Sequence, residues 1–321
     1  MNRTRRVLVT GGAGFIGSHL VDALVRAGHR VTVLDDFSSG HRSNLADAVA
    51  ADDDVEIAAA DLRDFDAVFH AMQGCDAVFH LGALGSVPRS VAEPIPTHQV
   101  NATGSVHVFE AARRLGVRRV VVASSSSVFG DSTASPKREE DLGRLLSPYA
   151  ASKRTMELYG EAFASLSGVE VVALRYFNVF GPRQSPSSAY AAVIPRFFAA
   201  ALRGASPVIY GTGEQSRDFT YVGDVVEANL RALSAPLPEG RSLIVNVARG
   251  GKITVNELWR AVASLTGASS EPEYRAERPG DILHSCAATE RLRSWLGWVP
   301  ETPPAEGLAA SLGFYRELLE V

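Results

Sequence analysis

Cysteine is nearly absent. Cys75 and Cys286 are the only two in 321 residues, far apart and without metal-ligand spacing. Two unpaired thiols suit a cytosolic chain better than a disulfide-stapled one, and no metal site is expected. Long apolar runs are missing as well. None approaches the roughly 20 residues that a bilayer span requires. The opening Met-Asn-Arg-Thr-Arg-Arg runs straight into a β-branched stretch and leaves no room for a signal peptide. A cytoplasmic protein without a membrane partner is therefore expected. Positive charge is not in excess: 32 Lys+Arg against 36 Asp+Glu leave a formal −4, so no basic face calls for nucleic acid. There is no internal repeat and no low-complexity segment. What remains is ordinary globular composition, 46% hydrophobic and 21% charged, at a length suited to one large or two coupled domains.

The first half alternates strands and helices. Strands are expected at 6–10, 30–34, 55–60, 77–81, 119–124 and 170–177, with helices at 18–27, 64–72, 97–115 and 148–166. Strands apolar nearly throughout, joined by helices, imply a parallel sheet covered on both faces. Right-handed crossovers make that a doubly wound (Rossmann) α/β sheet. After Phe177 the rhythm loosens: helices are expected at 190–202, 221–233, 254–266 and 304–319, and strands at 208–210 and 243–247. This reads as a Rossmann domain, 1–177 with 219–247 returning to it, and a smaller C-terminal α/β substrate domain, 178–218 and 248–321. The charged runs 52–54, 113–114 and 118–119 read as solvated faces.

Gly11-Gly12-Ala13-Gly14-Phe15-Ile16-Gly17 leaves the first strand and opens a helix. Early glycines let the backbone approach a pyrophosphate, Gly17 lets helix and strand pack closely, and the helix start offers unpaired amides. Asp35 closes the second strand, where a carboxylate accepts from ribose hydroxyls and repels a 2′-phosphate. That favours NAD over NADP, although Arg42 nearby works against it. Asp61 and Leu62 follow the third strand and would meet the adenine; Leu81, Gly82, Ala83 and Leu84 follow the fourth and would line the crevice. Tyr149 and Lys153 stand four apart, one turn above each other if Ser147-Pro148 opens a helix. A lysine ammonium beside a phenol favours the phenolate and makes it a base near neutral pH. The spacing alone is common, and an exposed helical pair is the bland reading. The serine run Ser124–Ser127 ends the fifth strand at the ligand-binding edge of the sheet, or simply satisfies local backbone groups there.

In order along nearly the whole chain stand TGGAGFIGSHL, LDDFSSG, HLGALGSVPRS, SSSSVFG, SPYAASK, LRYFNVFGPRQ, SRDFTYVGDV and RPGD. On these eight motifs the chain resembles the extended short-chain dehydrogenase/reductases, and among them the UDP-galactose/UDP-N-acetylglucosamine 4-epimerases. The resemblance implies bound NAD, with Asp36, Ser39, Gly40 and Tyr176 added to the cofactor contacts. It implies Tyr149 as the base on the sugar 4-hydroxyl, Lys153 lowering its pKa and holding the nicotinamide ribose, and Ser125 sharing the proton, with Ser126 as its understudy. A 4-ketose would form, turn and be reduced from its other face. Ser126 and Ser127 stand where dehydratases carry an Asp-Glu pair, and Ser127 where decarboxylases usually carry glutamate, so epimerisation is the chemistry left.

The same resemblance places Ser86, Arg89, Asn178 and Val193 at the substrate, Tyr210 on the uracil, Arg217 and Arg278 on the diphosphate and Asp281 on the uridine ribose. Surface salt bridges are the alternative for the arginines. Ser285 is small at a position that is bulky in glucose-restricted relatives, which points to UDP-GlcNAc, with UDP-glucose as well. Arg183 keeps a uronate as the rival, through a C6 carboxylate. An NAD-sensing regulator and a reductase or dehydrogenase are the other classes; the first loses the catalytic tyrosine or lysine, and the second consumes or releases reducing equivalents. Apolar residues on 97–115 and 148–166, namely Val106, Phe109, Leu158 and Phe163, suggest a homodimer.

Overall fold

The computed structural model describes residues 4–51, 55–186, 191–237, 241–277 and 283–320. Seven parallel strands form the central sheet: β1 (Arg6–Thr10), β2 (Arg30–Asp35), β3 (Glu56–Ala59), β4 (Ala77–His80), β5 (Arg119–Ser125), β6 (Glu170–Tyr176) and β7 (Ser242–Val247). Their order is β7-β6-β5-β4-β1-β2-β3, so the order reverses between β1 and β4. A doubly wound sheet binds its ligand at that reversal, outside the carboxyl ends of the strands. The register brings Thr10, His80, Ser125 and Tyr176 to that edge, since Thr10 pairs with His80 and Ser125 with Tyr176.

Alternation along each strand divides the core. Val7, Val9, Phe79, Val121, Val172, Val245 and Val247 face α1 (Phe15–Arg26) and the helix Val222–Ala232. Leu8, Val78, Val120, Val122 and Val171 face α2 (Phe65–Ala71), α3 (Gly104–Leu115) and α4 (Pro148–Ser167). A third cluster, including Phe197, Phe198, Trp259 and Tyr315, packs the helices Val193–Leu202, Val255–Thr266 and Pro304–Leu319 together beyond the sheet. No helix among the described residues is long and apolar enough to cross a membrane.

Several expectations are corrected. α1 begins at Phe15, not Ser18, because the glycine turn feeds directly into helical backbone. Residues 97–115 are not one uniform helix: a π turn at Gln99–Thr103 precedes α3. Arg119 is no solvated face; it is 3% exposed and forks onto Glu170, its partner across β5 and β6, at 2.6 Å. Arg113 and Arg114 do lie at the surface on Glu110, while 52–54 fall outside the described residues. Phe109 is committed to the core, stacked on Phe163 at 5.7 Å. Among the apolar residues left exposed nearby are Leu166, Leu158, Tyr159, Val91 and Ile95.

Candidate active site

The chain leaves β1 through Gly11, whose φ of +68° belongs to glycine, and a Cβ there would stand 2.6 Å from the backbone of Gly82. A Cβ on Gly17 would stand 2.1 Å from the Gly11 carbonyl oxygen. Turn, helix and the loop after β4 are thus pressed together as only glycine allows. α1 starts at Gly14 with no side-chain cap and no acidic residue in its first turn. Its first amides therefore point unpaired, at the positive end of the helix dipole, toward a cavity of about 490 Å³. Gly11, Gly14, Phe15, Ile16, Gly17, Asp35, Asp36, Ser39, Asp61, Leu62, Leu81, Gly82, Ala83, Tyr149, Lys153 and Tyr176 line this crevice. Gly40 does not; it packs against the backbone of Ala13.

Asp35 is 6% exposed and accepts from the amides of Ala13 (2.9 Å) and Phe37 (2.8 Å). Burial raises its pKa and the two amides pull it back. Each oxygen keeps a lone pair for a ribose hydroxyl. Arg42 lies over the Phe37 ring at 4.1 Å, and Arg63 holds Asp61 at 2.6 Å, lowering that carboxyl's pKa. A glycine cradle, an uncapped helix start and an acid closing β2 fit a dinucleotide with a free ribose diol.

Ser147 caps α4 by accepting from the Ala150 amide at 3.1 Å, with Pro148 in the first turn. The helix thereby carries Tyr149 and Lys153 to the mouth of the crevice. The Ser125 hydroxyl, which accepts from the Ser127 amide at 3.2 Å, lies close enough to the Tyr149 phenol to lower its pKa. Ser124 is engaged elsewhere, donating at 2.6 Å to Glu157, which also receives both ends of the buried Arg175 fork at 2.8 and 2.9 Å. Lys153 Nζ donates to the Ala123 carbonyl at 2.7 Å. The expected low phenol pKa is not what this environment gives. Burial raises Tyr149, and the nearby Ser125 hydroxyl only partly offsets it. Burial also lowers Lys153 to about 8, against the pull of Glu157. Both groups have lost water, and the ammonium is directed at a carbonyl. Beneath them His80, between Thr10 Oγ1 (2.7 Å) and Ser105 Oγ (2.9 Å), is kept neutral with its pKa lowered to about 3 by burial and by Lys153.

Two further cavities share walls with the crevice. One, about 550 Å³, is lined by Ser124, Ser125, Ser126, Ser127, Lys137, Tyr149, Asn178, Arg217 and Ser285. The other, about 310 Å³, is more apolar and includes Asn178, Val193, Tyr210, Arg217 and Phe219. Tyr149 belongs to the crevice and the larger cavity, Asn178 and Arg217 to both substrate-side cavities, and Gln184 to all three. Lys137 is not legible in the sequence because it sits in no pattern with a chemical meaning of its own, and Gln184, the last residue of the LRYFNVFGPRQ motif, has no separate sign there that it lines a cavity. Arg183 does not reach the sugar side. Its guanidinium spans Asp22 (2.7 Å) and Asp47 (3.2 Å), held by two carboxylates of the N-terminal region. Nor do Ser86 and Arg89 line any of these three cavities: Ser86 caps the short helix Val87–Ala92, and Arg89 pairs with Glu93 at 3.0 Å on its surface. Arg278 and Asp281 lie outside the described residues.

Residues 7–248 match the model of the NAD dependent epimerase/dehydratase family. The UDP-glucose 4-epimerase of Mycolicibacterium smegmatis is 41% identical over 97% of this chain and 98% of that protein. Among solved structures, the UDP-N-acetylglucosamine 4-epimerase of Methanobrevibacter ruminantium, in complex with UDP-N-acetylmuramic acid, superposes with a TM-score of 0.93. It is 40% identical, over 99% of this chain and 100% of that one. The Thermus thermophilus UDP-glucose 4-epimerase in complex with NAD gives a TM-score of 0.86 at 36% identity, over 97% of this chain and 99% of that one. The glycine cradle fits the dinucleotide and the match runs through sheet and site alike: the chain belongs to the NAD dependent epimerase/dehydratase family.

Proposed function

We propose that this protein is a UDP-sugar 4-epimerase using bound NAD, acting on UDP-GlcNAc/UDP-GalNAc and more weakly on UDP-glucose/UDP-galactose. The observation that carries this reading is the position of Tyr149, close to Ser125 and shared by the dinucleotide crevice and the larger adjoining cavity. Tyr149 takes the proton from the sugar 4-hydroxyl and returns it after the sugar turns. Ser125 holds the same proton in line. Lys153 supplies positive charge beside the phenolate and binds the nicotinamide ribose. Bound NAD supplies the oxidation and re-reduction of C4 and, when oxidised, a positive ring that favours the phenolate. The amides of the α1 start take the pyrophosphate, Asp35 the adenosine ribose, Arg217 the UDP diphosphate and Tyr210 the uracil.

No carboxylate stands at Ser126 or Ser127, which supports epimerisation over elimination or decarboxylation. Ser285, small and on the wall of the larger cavity, supports a substrate with a bulky C2 group. The uronate reading loses its support from Arg183, whose guanidinium is taken by Asp22 and Asp47. The sheet domain, 1–177 with 219–247, serves the cofactor, and 178–218 with 248–321 serves the sugar nucleotide. The test is a panel of UDP-sugars supplied with NAD and no reductant. Conversion of UDP-GlcNAc to UDP-GalNAc is expected, and turnover confined to UDP-glucuronate would replace this substrate with the acidic one. A homodimer through α3 and α4 is also proposed, on the exposed Leu158 and Tyr159. Light scattering at micromolar concentration is expected to give twice the chain mass, and a monomer would refute it.

A further inference from the structure

The larger cavity holds a charge that the reaction described above does not use. Lys137 lies on its wall, yet the residue is only 1% exposed. Its ammonium donates to the Ser132 carbonyl and sits 5.8 Å above the Phe129 ring. Among the described residues no carboxylate comes within ion-pair distance of it, and no Asp or Glu lines the cavity. An ammonium has three donors and no acceptor, so the bond to Ser132 leaves two protons without a partner among the described residues. Burying such a cation is costly unless something compensates it. The cavity has a second incomplete group: the Ser127 hydroxyl oxygen is buried and without a hydrogen-bond partner among the described residues.

Lys137 is held there firmly. Its amide donates to the Cys286 carbonyl at 2.8 Å, its carbonyl accepts from the Ala288 amide at 2.8 Å, and Asn246 binds the same carbonyl at 3.0 Å. The strand-like pairing of Lys137 with Ala287 brings the lysine beside the segment that carries Ser285. Ser285 in turn donates its amide to Ser216, next to Arg217. The wall with room for a larger substituent therefore also carries a spare cation and a spare hydroxyl.

We propose that Lys137 and Ser127 form a subsite for an acyl oxygen on the sugar, the carbonyl of an acetamido group or a carboxylate, and thereby favour acylated or acidic sugars over the plain hexose. The proposal rests on the UDP-sugar reading above and names the residues that set its substrate class. A hexose hydroxyl can also accept from an ammonium, but the sp² oxygen of an amide or carboxylate carries more negative charge and makes the stronger charge-assisted bond. Arg217, the other cation on the cavity wall among the described residues, is assigned to the diphosphate, so it does not compete for this role.

The test compares kcat/KM for UDP-GlcNAc, UDP-glucuronate and UDP-glucose in wild type, Lys137→Met, Lys137→Arg and Ser127→Ala. For the better acyl sugar, the ratio to UDP-glucose is expected to fall by about tenfold or more in K137M, the scale of one lost charged hydrogen bond. A fall of about threefold is expected in S127A, the scale of one neutral hydrogen bond, and K137R is expected to retain more of the ratio than K137M. NAD content and thermal unfolding check that each variant is folded; if K137M does not fold, the order of wild type, K137R and S127A decides. An unchanged ratio, or a wild type that turns over UDP-glucose alone, overturns the subsite while leaving the epimerase reading intact. If wild type turns over no UDP-sugar, the epimerase reading fails, and calorimetric binding of the same three ligands decides the subsite. A wild-type preference for the acyl sugar that K137M loses upholds it, and no preference overturns it.

Discussion

The two sides of the site are built differently. On the cofactor side, residues 11–17 form one continuous stretch whose geometry is fixed by backbone contact, down to a Cβ that would lie 2.1 Å from a carbonyl oxygen. On the sugar side, Ser125, Lys137, Asn178, Arg217 and Ser285 come from five separate segments, brought together by hydrogen bonds between distant parts of the chain such as Lys137–Cys286 and Ser285–Ser216. The first construction tolerates almost no change and asks for one ligand. The second can exchange one wall residue without disturbing the others, which is how one scaffold admits different sugars.

Tyr149 is one of the residues that the two sides share. Tyr149→Phe is expected to lower turnover by at least about a hundredfold, the usual scale for a lost general base, with bound NAD retained. Near-normal turnover in Y149F, measured with the best UDP-sugar, would remove the tyrosine from the chemistry.

Next comes the frame behind the catalytic helix. Glu157→Gln leaves the guanidinium of Arg175, itself 1% exposed, without its anion. Breaking a buried pair from one side costs about 3–5 kcal/mol. Chemical denaturation is the measurement, and a loss below about 1 kcal/mol would mean the pair behaves like a surface one.

Lys153 gives a pH signature. Its pKa is about 8 in the folded chain and roughly 10.4 when unfolded. Between these values the unfolded state binds more protons, so this lysine makes the cofactor-free chain more stable as pH rises from about 8 to 10. Lys153→Met is expected to remove that rise from the pH profile of thermal unfolding while abolishing most activity. A profile identical to wild type would contradict the burial argument.

The smallest effect belongs to the adaptable wall. Ser285→Tyr is expected to depress the N-acetylated pair at least about tenfold more than the plain hexose pair, the scale of a steric change in a pocket. Equal losses on both would show that Ser285 does not face the C2 group.

The same contrast explains what could be read in the sequence. β1 and the glycine turn that leads into α1 are legible because the chemistry sits in one run of residues with fixed spacing. Tyr149 and Lys153 are legible because a helix converts spacing of four into adjacency. Arg119 is misread as a solvated face because its partner, Glu170, is 51 positions away and meets it only through the β5–β6 register. Arg183 is misread for the same reason, since Asp22 lies 161 positions away. The low phenol pKa expected from Lys153 fails because spacing gives proximity but not desolvation, and burial is the larger influence on both groups. Lys137 carries no local signal at all; only the folded cavity gives it meaning.

The central claim is that the sugar is inverted at C4 by oxidation and return of the same hydrogen, with Tyr149 moving only the hydroxyl proton. The most direct test is to run the reaction in D₂O with NAD and no reductant, and follow the sugar by proton NMR. The account predicts UDP-GalNAc appearing from UDP-GlcNAc with hydrogen fully retained at C4 and its neighbours, and no net change in nicotinamide absorbance. Deuterium at C4 or C5, or accumulation of a keto sugar with reduced cofactor, would contradict it.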